Sequence, residues 1–154
     1  MSSRGELMGE LTLALREVRG RLAGVLQSVG EHVDLGAVEM DFLDLISRRA
    51  PVTPGELANT TGLSPATVTG ILDRLEEGGW IKRTRDIGDR RKVLVDVEMK
   101  RAPELGRLYG GMLARLHDIL EQYDDKQLAV LVGFLKQVRD AGDSSVDELR
   151  AGRS

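Results

Sequence analysis

Apolar residues recur at three- and four-residue steps from Leu7 through Leu11, Leu15, Val18, Leu22 and Leu26 to Val29. That spacing places them on one face of a long amphipathic helix, and Gly30 is the expected end of it. A polar stretch, Glu31 to Gly36, precedes Val38, Phe42, Leu45 and Ile46, a second helix that stops before Pro51. Thr53-Pro54-Gly55-Glu56 then combines an N-cap threonine, a proline at the first helical position and a glutamate three residues past the cap, which is a capping box. The short helix it opens closes at Gly62, a residue free to take the left-handed conformation. Ser64-Pro65 starts another, with Val68, Ile71, Leu72 and Leu75 on one face and an end at Gly78-Gly79. Two short helices joined by three or four residues form a helix-turn-helix.

After the glycine pair the period changes from helical to alternating. Trp80 to Arg85 and Lys92 to Val97 predict two strands around the turn Asp86-Ile87-Gly88-Asp89. A hairpin in that place is a wing. Leu105, Leu108, Met112, Leu116, Ile119 and Tyr123 then form a long helical stripe, and Leu128, Leu131, Val132, Leu135 and Val138 another after Asp124-Asp125. The predicted architecture is mainly α with a small β-hairpin wing. Residues 37–99 form a winged helix-turn-helix lobe, 6–30 and 102–142 are flanking helices suited to dimerisation, and 143–154 is a frayed tail. All belong to one domain, since 154 residues bury one full-sized core more readily than two.

Composition narrows the chemistry. No cysteine is present, which excludes disulfides, thiolate metal sites and thiol nucleophiles. No apolar run approaches the roughly 20 residues that span a bilayer, and the N-terminal pattern carries Glu6, Glu10 and Arg16 where a secretion signal is uninterruptedly apolar, so a cytoplasmic protein without a membrane partner is expected. His32 lies beside Glu31 and Asp34, and His117 has no spaced partner. Neither makes a metal site, and no metal or cofactor is expected. With no spaced histidine–carboxylate set and no phosphate-cradling glycine loop, an enzyme is not expected either.

The net charge of −3 argues at first against a nucleic-acid partner, yet Lys82, Arg83, Arg85, Arg90, Arg91 and Lys92 crowd the wing against only Asp86 and Asp89. If the aliphatic residues of the second helix of the pair face the core, Ala66, Thr69, Gly70, Asp73 and Glu77 point outward, with Thr67 and Arg74 at one edge. Small residues let a helix enter the roughly 12 Å major groove, and the hydroxyls of Ser64, Thr67 and Thr69 can reach phosphates or base edges. The helix start at Ser64-Pro65 also favours phosphate. Duplex DNA is the expected partner, with Arg74 as the strongest polar contact from the helix and Lys82, Arg83, Arg85 and Arg90 neutralising the backbone. The competing reading is a winged-helix interaction module whose basic wing meets an acidic protein.

The run Glu56-Leu57-Ala58, Gly62-Leu63-Ser64, Thr67-Val68-Thr69, Asp73-Arg74-Leu75-Glu76, Gly79, Asp86 and Asp89-Arg90-Arg91 closely resembles the MarR family of transcription regulators across residues 51–97. The resemblance implies a homodimer on a pseudo-palindromic operator, acting as repressor or activator, with a small-molecule effector cleft between dimer region and DNA-binding lobes. It also implies that Arg91 enters the minor groove, braced by Asp89. Arg16, Arg19, Arg48 and Trp80 are the candidates for holding an effector, against the plainer reading of surface arginines and a packing tryptophan. The segment Val97 to Pro103 departs from the Leu-Thr-x-x-Gly-like step that members carry after the wing.

Overall fold

The computed structural model describes residues 2–152, which divide after Tyr109 into two compact units. The first holds helix α1 (Arg4–Val33), α2 (Ala37–Arg49), α3 (Pro54–Thr61), α4 (Pro65–Glu77), strands β1 (Ile81–Arg85) and β2 (Val93–Val97), a 3₁₀ turn (Met99–Arg101) and the start of α5 (Ala102–Leu120). The second holds the remainder of α5 and α6 (Asp125–Ala151).

The predicted boundaries hold within a residue or two except at two places. α1 does not end at Gly30 but continues to Val33, where Asp34 takes the left-handed conformation (φ 56°) and its N–H donates to the Gly30 carbonyl. Asp tolerates that conformation better than most residues. Gly30 is needed for close approach instead: a Cβ there would lie 2.6 Å from the Leu35 carbonyl oxygen and 3.0 Å from Met40 Cγ. The second difference lies at the C-terminus, where 143–151 are helical rather than frayed. Gly142 weakens a helix by about 1 kcal/mol relative to alanine without terminating it. The apolar period passes through to Val146 and Leu149, and Ser144 and Ser145 donate their hydroxyls to the carbonyls of Asp140 and Ala141. Residues 153 and 154 of the expected tail lie outside the described residues.

The core of the first unit joins Met40, Phe42, Leu43 and Ile46 of α2, Leu57 of α3, Val68, Ile71, Leu72 and Leu75 of α4, and Trp80, Ile81 and Val95 around the hairpin. Each such side chain contributes about 1.5–3 kcal/mol on burial, which is what seats α4 against α2 and the wing. β1 and β2 pair antiparallel with Ile81 opposite Val97 and Arg85 opposite Val93. Val52, just past Pro51, exchanges backbone bonds of 3.1 and 2.8 Å with Val95 and extends the ladder by one residue. The predicted capping box is present: Thr53 Oγ1 accepts from the Glu56 N–H while Glu56 accepts from the Thr53 N–H, and Gly62 closes α3 at φ 72°. Among the described residues no helix is long and apolar enough to cross a membrane.

Candidate nucleic-acid interface

α4 begins at Ser64, whose hydroxyl accepts from the Thr67 N–H at 3.2 Å and lies 2.8 Å from the Thr67 hydroxyl. Pro65, Ala66, Thr67 and Thr69 are all exposed, while Val68, Ile71, Leu72 and Leu75 are buried, so the helical period separates the two faces as the sequence predicts. Thr69 donates its hydroxyl proton to the Pro65 carbonyl, leaving its lone pairs and methyl outward. Gly70 is half-buried, and a Cβ there would meet only the tip of Arg74 at 3.9 Å. The first two turns of α4 therefore present a small, hydroxyl-bearing surface.

The cations that follow fall into two groups, and only the structure separates them. In the first, the side chain is engaged within the protein. Arg74 bonds Glu39 of α2 through Nε and Nη2, both at 2.7 Å, although its own side chain is 58% exposed. Arg83 shares the buried Ile81 face of β1 and reaches back to α4, with Nη2 at 2.5 Å from Asp73 Oδ1 and Nε at 2.6 Å from Glu76 Oε2. The bond to Asp73, opposed by burial and reinforced by Glu76, raises the Arg83 pKa above its ordinary value. Arg85 donates through Nη1 to the Arg90 carbonyl at 2.8 Å and shapes the wing.

The second group is open. Lys82, Arg90 and Arg91 are exposed, and no carboxylate pairs with them among the described residues. Asp89 Oδ1 accepts from the Arg91 N–H at 3.0 Å and the Asp89 carbonyl from the Lys92 N–H at 2.9 Å, so Asp89 holds the backbone from which Arg91 projects. At the other side of the tip the Gly88 N–H donates to Asp86 Oδ1 at 3.0 Å, and the Asp86 N–H to the Lys92 carbonyl at 2.9 Å. An exposed helix start and a braced loop with two unpaired guanidinium groups make a surface suited to a polyanion.

The model of the MarR family matches residues 33–92, which span α2 to the wing. The HTH-type transcriptional regulator PecS of Dickeya dadantii is 30% identical over 116 residues, covering 73% of this chain and 70% of that protein. The chain belongs to the MarR family. The uncharacterized HTH-type transcriptional regulator YcgE of Bacillus subtilis is 26% identical over 149 residues, 97% of each chain. A solved mutant MarR from E. coli complexed with operator DNA superposes with a TM-score of 0.54 at 25% identity, covering 89% of this chain and 99% of that one. The protein is thus a winged-helix transcription regulator of MarR type.

The effector candidates of this MarR-family chain do not gather at one place. Trp80 is 2% exposed, and Arg101 lies over its ring at 3.7 Å from the centroid. The same guanidinium donates to the Gly78 carbonyl at 2.7 Å and to both Glu104 oxygens at 2.9 and 3.0 Å. The segment that departs from the family pattern thus caps the end of α4 and covers Trp80. Arg48 pairs with Asp44, and Arg16 and Arg19 are exposed on α1. A cavity of about 560 Å³ does touch Trp80, bounded also by Asp34, Glu39, Arg74 and Arg101. Among the described residues no three or more His, Asp or Glu side chains gather to hold a metal ion.

Sequence reasoning missed Glu39, Glu76 and Arg101, whose partners are brought to them by folding. It also passed over Arg49, exposed at the end of α2, which donates to Thr60 Oγ1 at 2.9 Å on the helix-turn-helix lobe. Only the basic character of Arg48-Arg49 before Pro51 could have pointed to it.

Proposed function

We propose that two copies of this chain bind one pseudo-palindromic operator, each laying the first two turns of α4 in a major groove and its wing along the adjacent minor groove. The observation that carries this reading is the open guanidinium pair Arg90 and Arg91 at a tip braced by Asp89, on the same lobe as an α4 start lined with Ala66, Thr67 and Thr69. Ser64, Pro65, Gly70 and Lys82 complete the contact surface. Arg83 acts by neutralising Asp73 and Glu76, and Arg74 by its tie to Glu39, rather than as free phosphate ligands.

Pairing of two copies is supported by apolar surface that the chain alone leaves in water. On α1, Leu7, Leu11, Val18 and Leu22 are 47–55% exposed, and α6 has no buried residue although it carries Val130, Leu135 and Leu149 at 56–71% exposure. Covering side chains of this size contributes about 1.5–3 kcal/mol for each one fully buried. Half-sites then lie about one helical turn, or roughly 10 base pairs, apart. A small-molecule effector enters this reading from the family resemblance, and the 560 Å³ cavity beside Arg74 and Arg101 is open space close to α4.

Selection of binders from a randomised duplex pool at two salt concentrations, with sedimentation of the protein alone, tests the proposal. An enriched inverted repeat and a dimer are expected. No enrichment by a folded dimer would overturn it and favour an acidic protein partner.

A further inference from the structure

Ile87 is the most exposed large apolar side chain among the described residues, at 101% of its reference area, where the next are Val130 and Leu149 at 71%. Both lie on α6, a helix whose apolar stripe, running from Leu128 to Leu149, a partner copy can cover. Ile87 belongs to no stripe. It stands at the tip of the wing between Asp86 and Gly88, in a loop whose remaining side chains include Arg85, Arg90, Arg91 and Lys92. A lone isoleucine on a surface is ordinary, but one held at the apex of a cationic hairpin will be driven against whatever anionic surface the hairpin meets. The apex is also ordered for the purpose: the Asp86 carboxylate accepts from the Gly88 N–H at 3.0 Å, and the Asp86 N–H is tied to the Lys92 carbonyl at 2.9 Å. Isoleucine is stiff at χ1, so seating it loses little rotamer freedom.

We infer that Ile87 is a specificity-determining residue, an apolar probe that the wing lays into the DNA minor groove beside the Arg91 contact. This rests on the DNA-binding reading above. The minor groove is walled by sugar carbons. Its floor differs between base pairs chiefly in the exocyclic N2 amino group of guanine, a polar group that an apolar side chain would desolvate without pairing. Apolar side chains of this class are used by minor-groove binders against base steps. Ile87 therefore favours A·T over G·C at the step it covers, adding shape selection to the charge supplied by Arg91.

The test uses the full chain and the operator duplex recovered by selection, prepared in three forms that carry A·T, G·C or inosine·C at the wing-facing step. Inosine·C lacks the N2 amino group while keeping the other pairing edges. Wild type should bind the A·T and inosine·C duplexes alike and the G·C duplex more weakly. Ile87→Ala should bind the A·T duplex about tenfold more weakly, the scale expected for losing most of a buried isoleucine side chain, and should lose the distinction among the three. The slope of log affinity on log salt should be unchanged, because no phosphate contact is removed, whereas each phosphate-bound cation lost lowers it by about 0.9. Circular dichroism melting should match wild type, since the side chain packs on nothing. An affinity within twofold of wild type, a loss equal on all three duplexes, or a reduced salt slope would each overturn the inference. Failure of wild type to enrich any duplex would instead overturn the DNA-binding reading, and this inference with it.

Discussion

Replacing Arg83 by alanine separates two roles that its place in the wing makes easy to confuse. A phosphate ligand and a clamp between the wing and α4 would both be cationic residues on β1. The side chain is 27% exposed and bonds Asp73 and Glu76, which are 50% and 39% exposed. Exposed pairs contribute about 0.2–1 kcal/mol each, so with both partners half in water we expect Arg83→Ala to destabilise by about 1–1.5 kcal/mol. At this chain length that lowers Tm by roughly 3–5 °C. A double-mutant cycle with Asp73→Asn should return a coupling of about 0.5–1 kcal/mol. DNA affinity should also fall, because two carboxylates on α4 lose their counter-charge, but the salt slope should drop by clearly less than the roughly 0.9 of a released phosphate contact. Thermal melting of the four proteins and titration of operator at several salt concentrations give all three quantities. An unchanged Tm with no coupling, or a full drop in slope, would refute the clamp and return Arg83 to the phosphate backbone.

Arg91→Ala should behave oppositely, lowering the salt slope by about 0.9 with Tm unchanged, as read from the same titrations and melts. Leu72, wholly buried between α4 and the core, should cost about 2–5 kcal/mol on replacement by alanine and lower Tm by on the order of 10 °C in a calorimeter. Glu56 is held below its ordinary pKa of 4.5, first by the Thr53 N–H and then by the Thr53 hydroxyl. A depressed carboxylate stabilises the fold above its unfolded pKa and ceases to as pH falls through the folded one. The Tm difference between wild type and Glu56→Gln should accordingly be present at neutral pH and shrink below pH 4.5, and a difference independent of pH would contradict the capping role.

Local rules carried the helix-turn-helix and wing from sequence to structure. Capping boxes, Pro at a helix start, Gly62 past a helix end and the change from helical to alternating period all act within a few residues, so they can be read without knowing the fold. The same rules misjudged Gly30 and Gly142. A glycine closes a helix where it takes the left-handed turn itself, as Gly62 does, whereas Gly30 and Gly142 stay helical and Asp34 takes the turn that ends α1 four residues after Gly30. The expected surface of α4 was legible for the same reason as its core: one period of 3.6 residues determines both faces.

The fate of each cation was not legible. Sequence alone established a basic wing, an acidic remainder and the order of elements, because charge and periodicity are properties of neighbouring residues. Which arginines are engaged depends on pairs brought together across 35 residues for Arg74 and Glu39, 10 for Arg83 and Asp73, and 23 for Arg101 and the Gly78 carbonyl. Only the packing of α2, α4 and β1 on a shared apolar core, with the 3₁₀ turn following β2, creates those distances. Electrostatic pairing falls off over a few ångströms, so it is decided by tertiary contact, and that contact left Arg90 and Arg91 open while engaging Arg74 and Arg83.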